Sequence, residues 1–165
     1  MSDKYQDNVR RILNLMKTTF GSTMKMYYDG DPDEFPPEFD LPALIVSQVS
    51  DSTVAGSFGQ DDVTDTIVIK ILLNKKDDWS AGANPDNMTE RKLREYVGAR
   101  NPETGRFEER TVKGALRTFG TQGIVAIGRE TTVEYGITPR ANDVVTAEAH
   151  VTFPIQYAVD VDEAV

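Results

Sequence analysis

The sequence predicts an α+β fold: a mainly antiparallel sheet of four to five strands, an N-terminal helix and two inserted helices. Three observations lead there. Tyr5, Val9, Ile12, Leu13, Met16 and Phe20 recur at three- and four-residue spacing, which draws one apolar stripe down a helix. Val63, Ile67, Ile69, Ile71 and Leu73 alternate with Thr64, Thr66 and Lys70, the period of a strand with one face in a core. Strands come in runs with helices between them, in the order α-β-β-β-α-α-β-β, which favours antiparallel pairing over a repeating βαβ sheet.

Taken in order, the first helix has Ser2 or Asp3 as a cap and Gly21 as its end, because glycine tolerates the left-handed conformation that closes a helix. Residues 24–28 read as a short strand, and 29–40 as an acidic loop with six carboxylates and no base. Residues 41–49 form a second strand. Its apolar side chains fall on both faces (Ala43, Ile45 and Val49; Leu44 and Val46), which predicts cover on both sides. Residues 51–60, rich in Ser, Thr and Gly, read as a mobile loop. Asp65 breaks the apolar face of the next strand and marks where that strand leaves the core.

Residues 74–87 read as a loop, and Asn87 with Glu90 has the form of a capping box opening a helix through Leu93, Tyr96 and Val97 to Gly98. A turn at 101–105 leads to a short helix carrying Val112, Leu116 and Phe119 and ending at Gly120. Two long strands follow. Val125, Ile127, Val133, Tyr135 and Ile137 lie mostly on one face of the first, with Gly128 at a bulge. Arg140 opens the connecting turn, and Val145, Ala147, Ala149, Val151, Phe153, Ile155 and Tyr157 alternate in the second. Pro154 has no N–H to give a ladder, so this last strand reads as an edge.

A chain of 165 residues suits one domain, placed at 1–158, with 159–165 an acidic, loose tail. It is long enough to bury roughly two-thirds of its unfolded surface without a staple. Hydrophobic residues at 39%, a little under the globular average, and charged residues at 27%, about the average, exclude a chain that is disordered throughout. There is no cysteine, which excludes disulfides, thiolate metal sites and thiol nucleophiles. No membrane span and no signal peptide are expected.

Net charge is −9, yet residues 90–117 carry eight bases against five acids, a net +3 that leaves −12 on the rest of the chain. Such segregation suits a solvated helical surface or, more specifically, a basic face of one copy meeting an acidic face of the next. The residues picked out for contacts are Trp79, as an interface anchor or a lid over the core, the bases Arg91, Lys92, Arg94, Arg110 and Lys113, and Arg140 and His150.

The residues point away from catalysis. His150 is the only imidazole and falls on the polar face of the last strand, between Glu148 and Thr152. No phosphate-binding, zinc-hydrolase or serine-nucleophile motif occurs. The best cation candidate is Asp29, Asp31 and Asp33 with Asp40, spaced like the start of a calcium loop. Glu34 stands where such a loop needs glycine, and Asp40 where it needs a bidentate Glu, so no cofactor or metal is expected.

The layout resembles that of the tail terminator proteins of long-tailed, lambda-type bacteriophages. The likeness rests on the opening amphipathic helix, the strand Leu41-Pro42-Ala43-Leu44-Ile45-Val46, the strong strand at 64–74, the Asp/Trp loop with helices after it, and the final hairpin at 131–157. The resemblance implies a hexameric ring at the head-proximal end of the virion tail. That ring caps the tail tube, stops its polymerisation and offers a surface to the head completion protein, with DNA only passing through the lumen and no membrane involved. The nearest alternatives are another head–tail connector or tail completion subunit and, in a different class, a calcium-binding or small hydrolytic module using the 29–40 loop.

Overall fold

The computed structural model describes residues 7–32, 40–56, 59–122, 126–127 and 130–161. Its elements are α1 (Asn8–Phe20), β1 (Met26–Asp29), β2 (Ala43–Ala55), β3 (Gln60–Asn74), α2 (Thr89–Gly98), α3 (Val112–Gln122), β4 (Ala126–Ile127), β5 (Thr132–Pro139) and β6 (Val145–Asp160). All strands belong to one sheet in the order β1-β2-β3-β6, with β4 and β5 both pairing with β6, so that together they occupy a fifth position. The β1–β2 pair is parallel and every other pair antiparallel. The α+β class and the rough element order are those the sequence predicts; the single strand expected to carry Ile127 and Ile137 is instead two, β4 and β5.

The helices lie on one face of the sheet. Ile12, Leu13 and Met16 of α1, Leu93 and Val97 of α2, and Val112 and Leu116 of α3 pack with Leu44 and Val46 of β2, Ile67, Ile69 and Ile71 of β3, and Ala149, Val151 and Phe153 of β6. On the opposite face a smaller cluster joins Leu41, Ala43, Ile45, Leu72 and Val144. The central strands are therefore covered on both sides, as the two-faced apolar pattern of β2 requires.

Several boundaries differ from expectation. Asp7 caps α1, its side chain accepting from Arg10 N at 3.2 Å; Ser2 and Asp3 lie outside the described residues. Gly21 does end α1, at φ +53°. Residues 51–60 are not a loop: β2 runs through Ala55 and β3 starts at Gln60, after a turn in which Gly56 N–H donates to Gln60 O at 2.7 Å. β6 is not an edge either, because β3 pairs along its whole length while β5 and β4 take successive stretches of its other side. Pro154 is accommodated between the stretch paired with β5, which reaches Thr152, and the stretch paired with β4, Ile155 and Gln156. The supposed tail at 159–161 is ordered, since Asp160 pairs with Gln60 and Val161 N–H donates to Gly59 O at 2.7 Å; residues 162–165, like Val125 and Gly128, lie outside the described residues.

The β5–β6 hairpin closes through Asn142 and Asp143, both left-handed at φ 63° and 60°. Two such residues in succession make the turn that matches strand twist, and Asn and Asp tolerate it better than other non-glycine residues.

Candidate functional site

Three polar regions stand out, and each follows from where the sheet places its side chains. The first is a network on the face opposite the helices. Lys70 of β3 and His150 of β6 are register partners, and Glu148 is two residues along the same face. Arg140, at the mouth of the β5–β6 turn, donates from Nε to Glu148 Oε2 at 2.9 Å and from Nη2 to Glu148 Oε1 at 3.0 Å. Its Nη1 reaches Asp31 Oδ1 at 3.2 Å, and Lys70 Nζ reaches Asp31 Oδ2 at 3.1 Å. Thr146 Oγ1 donates to Glu148, and His150 Nε2 lies 2.8 Å from Glu148 Oε1.

Glu148 and Arg140 are almost fully buried, their side chains 2% and 7% exposed. Burial alone would raise the Glu148 pKa, but hydrogen bonds from His150, Arg140 and Thr146, with the Arg140 charge, outweigh it and hold the carboxyl at about 2. Burial works against the Arg140 cation, and bonds and charge from Glu148 and Asp31 more than offset that, leaving its pKa raised. Two carboxylates, of Asp31 and Glu148, thus face the Lys70 and Arg140 cations, with His150 beside Glu148. The network ties the segment after β1, the centre of β3, β6 and the β5–β6 turn into one unit. Arg140 is thus a buried clamp and no free contact residue, and His150 is a half-exposed member of the same cluster, not an isolated surface side chain.

The same geometry draws candidate ligands of the calcium-like loop to different partners. Asp29 pairs with Arg10 of α1 at 3.2 Å, on the helix face, while Asp31 is drawn to Lys70 and Arg140. Two of the candidate ligands therefore serve different protein cations. Asp33 lies outside the described residues, and Asp40 stands near Tyr28, whose pKa is raised by burial and by the Asp40 charge. Among the described residues no group of three or more acids or histidines is arranged to hold a metal ion.

The second region is basic. After α2 the chain makes a turn at 101–105, with Gly105 at φ +72°, and returns so that Arg100 and Phe107 form a bridge. The Arg100 guanidinium sits 3.9 Å from the Phe107 ring centroid, that of Arg117 4.6 Å, and Lys113 Nζ 5.8 Å. Cation–π attraction holds the three charges on one ring. Of the expected bases, Lys113 belongs to this cluster, whereas Arg91 pairs with Glu95 one turn along α2 at 3.3 Å. Arg94 and Arg110 are exposed; Lys92 is half-buried in a groove beside Leu73, Asp77 and Tyr96. Phe107, Arg100 and Arg117 were missed as a unit, although an aromatic inside a basic insert was a readable signal.

The third region is acidic. From the Asp51–Asp65–Ile155 row, where Ile155 still lies in the core and β4 pairs with Ile155 and Gln156, the ends of β2, β3 and β6 continue as an arm to Ala55, Gln60 and Asp160. Asp65, 6% exposed, accepts from Asn8 Nδ2 at 2.8 Å and from Gln48 Nε2 at 3.2 Å, and so seals the point where β3 leaves the core, as expected. Asp51, Asp62 and Asp160 are exposed on the arm and Asp61 half-buried, and residues 48–66 and 151–165 contain no Lys, Arg or His.

Two further contact candidates are apolar. Trp79 ends a 3-10 turn (Lys75–Trp79) and is 65% exposed, so it does not cover the core. Tyr135 and Ile137 of β5, 42% and 60% exposed, border a groove with Lys75, Glu90 and Leu93; the true edge strand here is β5. No helix among the described residues is long and apolar enough to cross a membrane.

No protein-family model matches this chain. No curated protein matches it either.

Proposed function

We propose that this protein is a non-enzymatic assembly subunit, a tail terminator that forms a hexameric ring on the end of a phage tail tube. In this reading the ring stops tube polymerisation, presents its other side to the head completion protein, and lets DNA pass through its lumen. It acts by binding alone, at the head-proximal end of the virion tail.

One observation carries the reading. Beyond the Val63–Tyr157 pair, whose tyrosine still packs on the core, the arm runs on as a three-stranded structure for about 10 Å, at roughly 3.4 Å per strand residue. Its β2 strand buries little within its own chain: every residue of 48–56 is exposed, including Val49 at 63% and Val54 at 62%. Ordered strands that leave the core, with the exposed edge strand β5 elsewhere, are surfaces whose use lies between chains. A head-to-tail ring needs two different patches on each subunit, and an acidic arm with a basic insert meets that requirement. The element order of terminators, on which the resemblance rests, is compatible with the observed fold.

The test is direct. Purified protein is examined by light scattering and electron microscopy, alone and with polymerising cognate tail-tube subunits. The expected result is six-membered rings and tubes capped at one end. A protein that stays monomeric with and without tubes, and leaves their growth unchanged, is not a terminator. Binding to the head connector without arrest of tube growth would point to a connector or completion subunit instead.

A further inference from the structure

We infer that the acidic arm of one subunit docks on the Phe107 face of the next, with Arg100, Lys113 and Arg117 receiving its carboxylates. The inference rests on the self-assembly reading above and deepens it by naming both halves of the contact.

Both surfaces carry charge that no ion pair among the described residues meets. Among the described residues, neither Asp51, Asp61, Asp62 and Asp160 on the arm nor Arg100, Lys113 and Arg117 around Phe107 form an ion pair within the chain. The Asp31–Lys70–Arg140–Glu148 network, by contrast, meets its charges within the chain. Three cations on one ring repel one another, and a carboxylate among them relieves that repulsion. The Phe107 ring fixes where the guanidinium groups stand, so a partner meets them already placed.

The arm is equally preorganised. Gly59 sits at φ +71°, and its carbonyl accepts from Val161, which pins the tip to the end of β6. A side chain at Gly56 would meet Gln60 O at 2.9 Å, so the turn needs glycine there. By register, Asp61 lies on the arm face that continues the helix side of the sheet and Asp62 on the other, so both faces carry charge to the tip. A second copy supplies both surfaces in the right ratio, one arm to one cationic face, and such a head-to-tail contact is the kind from which a ring is built when its rotation closes. Nucleic acid could also neutralise the cations, but the acidic arm and the net charge of −9 oppose its approach.

The experiment uses two charge-reversed full-length chains, D61K/D62K and R100E/R117E, with far-UV circular dichroism to verify folding and sedimentation velocity to read association. Each variant alone should dissociate at least about tenfold more readily than the parent, because like charges then face each other. An equimolar mixture should recover assembly, since each reversed surface meets its complement on the other chain. If the parent associates and both variants associate equally well, the docking is wrong while self-assembly stands. If the parent never associates, with or without tubes, both fall. If R100E/R117E keeps its association and instead loses retention on immobilised duplex DNA at low salt, the Phe107 face is a nucleic-acid surface and the inference is overturned. Loss of association in each variant without recovery in the mixture also overturns it.

Discussion

Glu148 shows how a single residue can be both costly and necessary. Its carboxylate is placed where water is excluded, and its ionised form survives only because Arg140, His150 and Thr146 all bond to it. Its pKa falls from an ordinary 4.5 to about 2, so the folded state favours the charged form more than the unfolded chain does. The sign follows: the stabilisation is fully present above pH 4.5 and is lost as pH falls toward 2. Its size is about 3 kcal/mol. Urea unfolding between pH 7 and pH 2.5 should show this decline, and E148Q should show a smaller pH dependence across that window. At pH 7 the same variant should lose about 3 kcal/mol, because the buried guanidinium keeps Asp31 but meets a neutral side chain where two charge-assisted bonds stood. An unchanged unfolding midpoint would mean that Asp31 and water satisfy Arg140 without Glu148. None of this was legible in the sequence beyond alternation: Glu148 and His150 occupy positions that read as solvent-facing, and only the fold brings Arg140 from the hairpin turn and Asp31 from a distant loop onto that face.

At the scale of elements, the ends of helices carry the information that propensity lacks. The expected Asn87–Glu90 box does not form, and Met88 at the N-cap makes no side-chain bond. Asp78 supplies the cap from eleven residues away, accepting from Thr89 N at 2.9 Å and Thr89 Oγ1 at 2.6 Å while Lys75 holds it at 2.7 Å. D78A should therefore destabilise the protein by about 1–2 kcal/mol, the usual cost of a lost cap, whereas N87A should change little. Equal effects in denaturant melts would restore the local box. α3 offers a second case. Thr111 Oγ1 accepts from Gly114 N at 3.0 Å, and a Cβ at Gly114 would lie 2.4 Å from Glu108 O and 2.8 Å from Thr111 Oγ1. G114A should then cost about 1–3 kcal/mol through overpacking, although alanine is the better helix former by about 1 kcal/mol. A stabilised variant would show that the backbone at 108 yields easily. These cases explain what could be read in advance. The stripes of α1 and the alternation of β3 and β6 are set by burial and were visible. The strand at 51–55 was not, because Ser, Thr and Gly mark exposed strands and loops alike, and it is held by pairing with β3. The edge was misassigned for a related reason: Pro154 reports only a missing donor, and a gap between two partners satisfies that as well as open water does.

For the whole molecule, the balance between sheet and charge decides what kind of object the chain makes. The core accounts for the helices and for the central parts of β2, β3 and β6, and the polar network pairs carboxylates with cations on the opposite face. What remains outside is unlike at its two sites: a strand arm with carboxylates and no base, and an insert whose cations gather on Phe107. The sequence showed the basic segment as a +3 excess but hid its complement, because the acids of the arm are spread over positions 51 to 160 and meet only through strand pairing. If self-association uses these surfaces, it must depend on ionic strength in a way that folding does not. The Debye length shrinks from about 30 Å at 0.01 M salt to about 3 Å at 1 M, so contacts between exposed charges weaken steeply across that range. The buried Arg140–Glu148 pair is screened far less. Sedimentation velocity in rising sodium chloride should therefore show dissociation into subunits, while thermal melts of the same samples keep their subunit stability within about 1 kcal/mol. The opposite pattern, association that strengthens with salt, would mean that the apolar exposures at Trp79, Tyr135 and Ile137 drive assembly, since salts excluded from the protein surface reinforce apolar burial.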